Sequence, residues 1–244
     1  MACLVENGFA QRHEYGIFAG GSYYLGELNA SKHINEVSNL SFGVMYQKNI
    51  NTRYTLRYSL LYGELMGSDE FFDIGLNNFR DLAFDTKLYE FGFMIMFNFF
   101  PYGLNQKELP YTPYIGAGLS IFNVNANVYS LQRDSLAAIP PENYEYGSHT
   151  ALAFPFGFGF KFLPVPALDI GIEWMMRKTS SDRIDGLENQ YVEGNTSFIN
   201  VPYHHPEGFQ KGNLKNRDWY STIGITILFR PGAGVNKCPT PATK

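Results

Sequence analysis

The stretch that most constrains this chain is Tyr89 to Phe100, YEFGFMIMFNFF. Alternate positions Tyr89, Phe91, Phe93, Ile95, Phe97 and Phe99 form one set, and Glu90, Gly92, Met94, Met96, Asn98 and Phe100 the other. A helix would scatter those aromatics around its axis. A strand gathers the first set on one almost wholly apolar face and leaves the mixed set on the opposite one. One such strand fits a half-buried soluble sheet, so recurrence of the pattern decides the matter.

The pattern recurs seven more times. Glu14 to Tyr24 puts Tyr15, Ile17, Ala19 and Tyr23 on one face and Gly16, Gly20 and Ser22 on the other. Leu40 to Gln47 sets Leu40, Phe42, Val44 and Tyr46 against Ser41, Gly43 and Gln47, and Tyr54 to Tyr62 sets Tyr54, Leu56, Tyr58, Leu60 and Tyr62 against Thr55, Arg57 and Ser59. Tyr111 to Val124 alternates Ile115, Ala117, Leu119 and Ile121 with Gly116, Gly118 and Ser120. FPFGFGFKF, Phe154 to Phe162, alternates phenylalanine with Pro155, Gly157, Gly159 and Lys161; Pro155 cannot donate to a ladder, which predicts a place near the strand start or at a bulge. Leu168 to Arg177 turns Leu168, Ile170, Ile172, Trp174 and Met176 outward and Asp169, Gly171, Glu173 and Arg177 inward. Trp219 to Phe229 turns Ile223, Ile225, Ile227 and Phe229 outward and Thr222, Gly224 and Thr226 inward.

Eight strands of this kind, each near the ~9–11 residues that cross a tilted bilayer path, predict an all-β fold: an eight-stranded antiparallel transmembrane outer-membrane β-barrel over 13–230. The polar connections at 25–38, 63–85, 125–150 and 179–218 are long, whereas Asn49–Thr52, Pro101–Pro110 and Leu163–Pro166 are short or medium. That asymmetry predicts extracellular loops on one side and periplasmic turns, with both termini, on the other. Residues 1–12 read as a leader remnant or flexible segment, lacking the basic start and apolar core of a signal peptide, and 231–244 as a flexible periplasmic tail.

At 244 residues a single barrel domain is an ordinary size. Mean hydropathy is −0.20, but alternating membrane strands dilute their own hydropathy signal. A net charge of −4 leaves no basic footprint for nucleic acid. Cys3 and Cys238 are too few for a disulfide scaffold and lack metal-ligand spacing; they flank the barrel, bonded or free.

The inward parity collects Glu14, Arg57, Glu90, Lys161, Asp169, Glu173, Arg177 and Arg230 in the lumen. Eight strands leave room only for side chains, so these charges must pair, and Glu90 needs Arg57, Lys161 or Arg177. They read as a salt-bridge plug, with an ion path as the functional alternative. Tyr15, Tyr24, Tyr46, Tyr54, Tyr62, Tyr89 and Tyr114, near strand ends, are expected in the interfacial girdles. No catalytic, cofactor or metal site is expected. The acidic run DEFFDIG from Asp69 lacks the glycine and terminal glutamate of a calcium loop. For a lipid-modifying enzyme, Ser180 or Ser181 with His204 or His205 is the pair to weigh.

Several strings carry a family likeness: YYLGELN at Tyr23 to Asn29, NFRDLAF at Asn78 to Phe84, YTPYIGAGLSIF at Tyr111 to Phe122, FPFGFGFKF, and GIEWMMRKTSSDRIDG at Gly171 to Gly186, with Arg177, Lys178, Thr179, Asp182 and Asp185 as its charged pattern. In these the chain resembles the PorG-like outer-membrane proteins of the Bacteroidetes type IX secretion and gliding-motility machinery. The resemblance implies a non-enzymatic barrel that anchors periplasmic ring or lipoprotein components, amid outer-membrane lipid and lipopolysaccharide. Partner contacts are then expected on the short connections, at Asn49, Asn51, Tyr102, Asn105, Lys107, Pro164 and Pro166, and on the tail. The alternatives are a stand-alone surface barrel acting in adhesion and a lipid-modifying enzyme.

Overall fold

The computed structural model describes residues 13–25, 39–68, 82–103, 109–130, 144–181, 184 and 218–231. The expected leader and tail, Cys3, Cys238, the acidic run from Asp69, Asn105, Lys107, His204 and His205 lie outside them. The strands are β1 (His13–Leu25), β2 (Asn39–Asn49), β3 (Tyr54–Ser68), β4 (Leu82–Asn98), β5 (Tyr111–Ser130), β6 (Tyr144–Val165), β7 (Leu168–Thr179) and β8 (Trp219–Phe229). Each pairs antiparallel with its sequence neighbour. β1 closes the circle against β8, from Tyr15 opposite Phe229 to Leu25 opposite Trp219. The molecule is therefore a closed eight-stranded antiparallel barrel, which leaves no sheet edge through the pairing seam.

Period-two alternation is what the barrel wall requires, and the expected outward positions are outward. Leu40, Phe91, Leu119, Phe158, Ile172 and Ile225 are exposed, Leu40 at 69% and Ile172 at 62%. An uninterrupted apolar belt of this kind is far larger than the patches that soluble monomers expose. Its physical solvent is hydrocarbon, and because the strands pair around a closed circle, the barrel satisfies most of its main chain internally, as lipid requires.

The strands run further than the sequence pattern suggests. β3 continues to Ser68 and β4 begins at Leu82, so both flanks of the expected 63–85 loop are strand; β5 and β6 likewise consume the flanks of 125–150. In these extensions the two faces exchange character. Outward positions become Glu64, Lys87, Asn123, Asn125 and Thr150, while inward Leu65, Phe84, Leu88, Phe122 and Val124 are buried. The barrel wall thus rises from the apolar belt into a segment that is wet outside and dry inside, like a soluble sheet.

Pro155 corrects its expected position. It lies well inside β6, opposite Arg177 of β7, and the β5–β6 ladder keeps one register on both sides of it, skipping only the pairs between Ala117–Phe156 and Ser120–Ala153. The β5–β6 bulge falls elsewhere, between Val124 and Ala126. A missing donor is tolerated there because the neighbouring pairs hold the register.

Candidate functional site

All eight expected lumen charges are inside and buried. Arg57, Lys161, Arg177 and Arg230 stand against Glu14, Glu90, Asp169 and Glu173, so these eight balance in formal charge; Asp218, at the loop end, is a further buried carboxylate. Arg57 of β3 donates from Nη1 to Glu173 Oε2 at 2.6 Å, reaching β7 on the opposite wall, and Tyr114 donates to the same oxygen at 2.7 Å. With its amide oxygen toward the guanidinium, Gln47 accepts from Arg57 Nε and Nη2, each at 3.0 Å. Arg177 of β7 donates from Nε to Glu90 Oε2 at 2.7 Å and from Nη1 to Thr222 Oγ1 at 2.8 Å. Of the three partners open to Glu90, Arg177 is the one bonded.

At the turn end, just past β8, Arg230 donates from Nε to Glu14 Oε1 at 2.9 Å. Asn49 donates to that oxygen at 2.7 Å and accepts from Thr55 at 2.6 Å. Tyr102, expected at a partner contact, instead turns into the lumen and donates to Asp169 Oδ2 at 2.7 Å. Burial, with the Asp169 carboxylate beside it, raises the Tyr102 phenol well above its ordinary range, so it stays a donor. Lys161 Nζ sits 4.7 Å from the centroid of that ring and 5.5 Å from that of Tyr114, within cation–π reach. Tyr102 therefore stands between the fourth cation and the fourth carboxylate.

Between the ion pairs lies a cavity of about 20 Å³ bordered by Met45, Arg57, Met94, Glu173 and Arg177, room for roughly one water. Above it, at the loop end, Tyr24, Leu65, Phe84, Leu88, Phe122, Ile184 and Tyr220 form an apolar core. Ile184 is pinned there by its own backbone: its N–H donates to Asp218 Oδ2 at 3.0 Å and its carbonyl accepts from Thr86 at 2.7 Å. The lumen is thus closed twice, by crossing charges below and by packed side chains above.

Two girdle tyrosines are misplaced in the sequence reading. Tyr24 and Tyr114 are inside, at 0% and 1% exposure, whereas Tyr15, Tyr54 and Tyr89 lie on the outer surface. Period-two counting alone predicts this, since Tyr24 follows inward Gly20 and Ser22, and Tyr114 precedes inward Gly116; position near a strand end is the weaker guide. Tyr23 keeps outward parity yet is buried, accepting a bond from Trp174 Nε1 at 2.8 Å. The remaining expected partner contacts divide: Asn49 faces Glu14, Asn51 takes the backbone N–H groups of Arg53 and Tyr54 at 2.8 Å each, and Pro164 and Pro166 are exposed.

For the enzyme pair, the structure brings together a different couple. Ser181 Oγ lies 2.9 Å from His149 Nε2 at the loop-end mouth, while Ser180 Oγ accepts from the Leu152 backbone at 3.1 Å. Among the described residues no group of three His, Cys, Asp or Glu side chains is arranged to hold a metal ion.

Fold and interior together define a class: a closed eight-stranded barrel with a lipid-compatible outer belt and a lumen sealed by its own side chains. Within that class the chain belongs to the DUF6089 family, described as a domain of unknown function, whose profile matches residues 1–240. No curated protein matches it. Among solved structures it is similar to Neisserial surface protein A (12% identity, 89% of this chain and 96% of that one, TM-score 0.46). It is also similar to Ail, the attachment invasion locus protein of Yersinia pestis (13%, 90% and 99%, TM-score 0.43), and to a major outer membrane protein of Thermus thermophilus (12%, 89% and 98%, TM-score 0.46). The barrel assignment rests on its own strand pairing, independent of these likenesses.

Proposed function

We propose that this protein is a non-enzymatic outer-membrane barrel of the type IX secretion machinery, with its turn end and termini in the periplasm, where it anchors ring or lipoprotein components. The observation that carries the reading is the sealed lumen. Arg57–Glu173 and Arg177–Glu90 cross the interior beside a cavity with room for about one water, which argues against conduction as the task and leaves the two rims as working surfaces. The resemblance of YLGELN and of the Arg177–Asp185 segment to PorG-like proteins supports the choice of machine. The test is deletion combined with affinity isolation from detergent-solubilised membranes. Loss of type IX cargo secretion and co-isolation of periplasmic machine components are expected; normal secretion with the barrel recovered alone contradicts the proposal.

A second reading takes its support from Ser181 and His149, spaced as a hydroxyl nucleophile and its base. It makes the protein a lipid-directed acyl hydrolase at the loop end. Ser181 is nearly buried and shares the inward parity of Thr179, away from the lipid that would supply substrate, so this reading stands second. His149→Ala leaving lipid A and phospholipid profiles unchanged removes it.

A further inference from the structure

The two borders of the apolar belt differ. Toward the loop end the outward positions of β3 to β6 turn polar within one alternation: Tyr62 gives way to Glu64, Tyr89 to Lys87, Ile121 to Asn123 and Leu152 to Thr150, although Met66, beyond Glu64, is 38% exposed. Along the ladder these changes fall within one alternation of one another, because Tyr62 pairs with Tyr89, Tyr89 with Asn123 and Asn123 with Thr150. From that border, about ten residue steps at ~3.4 Å and a tilt of ~40° cover roughly 26 Å, the full height of a lipid-facing band. The band is then complete near Phe99 on β4, Tyr111 on β5 and Phe162 on β6.

Large apolar side chains continue past that line. Ile50 lies in the β2–β3 turn, Phe100 and Leu109 in the β4–β5 connection and Val165 at the β6–β7 turn, and they are 49%, 40%, 38% and 51% exposed. A single exposed aliphatic residue is unremarkable, but every connection at this end carries one. Hydrated headgroups do not remove such tips from water; a protein face does. The charges add a direction. At this end the exposed charged side chains among the described residues are Lys48 and Arg53, both cationic, while the nearby carboxylates of Glu14 and Asp169 are buried. Arg53 is held in place by a bond from Nη1 to the Phe99 carbonyl at 2.7 Å.

We infer that the turn-end rim is a docking surface for a protein that presents large apolar side chains bordered by carboxylates. Ile50, Phe100, Leu109 and Val165 supply the apolar contact, and Lys48 and Arg53 the complementary charge. This deepens the anchoring reading and rests on it for the side of the membrane on which the partner lies.

The test is in-cell photo-crosslinking from a benzophenone amino acid placed at Ile50 or Val165, with mid-belt Ile172 as control and adducts identified by mass spectrometry. One discrete protein adduct is expected from both rim positions and none from Ile172. The crosslinked segment should carry Asp or Glu beside large apolar residues. Its yield should fall several-fold in Lys48→Glu/Arg53→Glu, and in Lys48→Glu alone should the double variant fail to show heat-modifiable mobility. Adducts with lipid only, with a second copy of the barrel, or no adduct at all overturn the docking surface. The two proposals fail separately: normal secretion on deletion with the adduct present removes the secretion machine and keeps the surface, and defective secretion with lipid adducts alone does the reverse.

Discussion

Arg177 shows at the residue scale how much the interior depends on pairing. Its Nε bonds Glu90 and its Nη1 bonds Thr222, and its guanidinium lies 5.4 Å from the centroid of the Tyr220 ring. Arg177→Met strands the Glu90 carboxylate in the lumen, which costs about 3–5 kcal/mol, whereas a double Arg177→Met/Glu90→Gln variant should recover much of that loss. Urea unfolding in liposomes, read by tryptophan fluorescence, measures both; equal destabilisation in single and double variants contradicts the pairing. On the outer face, Phe93 lies midway along the belt and packs on Tyr58 with ring centroids 5.1 Å apart. Phe93→Arg should cost about 2–4 kcal/mol in the same measurement, and unchanged stability would mean that this face does not meet lipid. Inside-or-outside placement was legible in the sequence wherever parity was followed. The partner of each charge was not, because Arg57 and Glu173, 116 positions apart in the chain, meet across the lumen.

At the scale of the element, the seam between β1 and β8 is the critical join, since it closes the chain on itself. Gly20 and Gly224 face each other there. A Cβ on Gly20 would fall onto the Ile223 carbonyl and within 2.6 Å of Gly224 Cα; one on Gly224 would lie 2.5 Å from the Ala19 oxygen and 2.8 Å from the Phe18 ring. Gly20→Val is therefore expected to impair closure, seen as loss of the heat-modifiable folded band on refolding, while Ala19→Val, on the exposed side of the same strand, should refold normally. An equal yield for both variants would show that the seam has slack. Strand existence was readable from sequence, and β8 has the expected bounds, Trp219–Phe229. Strand length was not readable in β3 to β6. The alternation continues in Lys87–Leu88 and Phe122–Asn123, but the apolar positions move to the inside there, so a search for apolar-out periodicity stops at the membrane border.

For the whole molecule, the closed lumen and the outer belt are separate consequences of one period-two pattern: large apolar residues outward, and glycine, serine and paired charge inward. The pairing of four lumen cations with four carboxylates lets so narrow an interior hold those charges. Tyr102 and Ile184 seal its mouths from connections that carry no alternation, which is why neither was visible in the strand pattern. The most direct test of a sealed, membrane-inserted barrel is conductance of the refolded protein in planar bilayers, with insertion verified by heat-modifiable mobility. Inserted wild-type protein should add no ionic current above the bare bilayer; discrete, long-lived conductance steps would contradict the account.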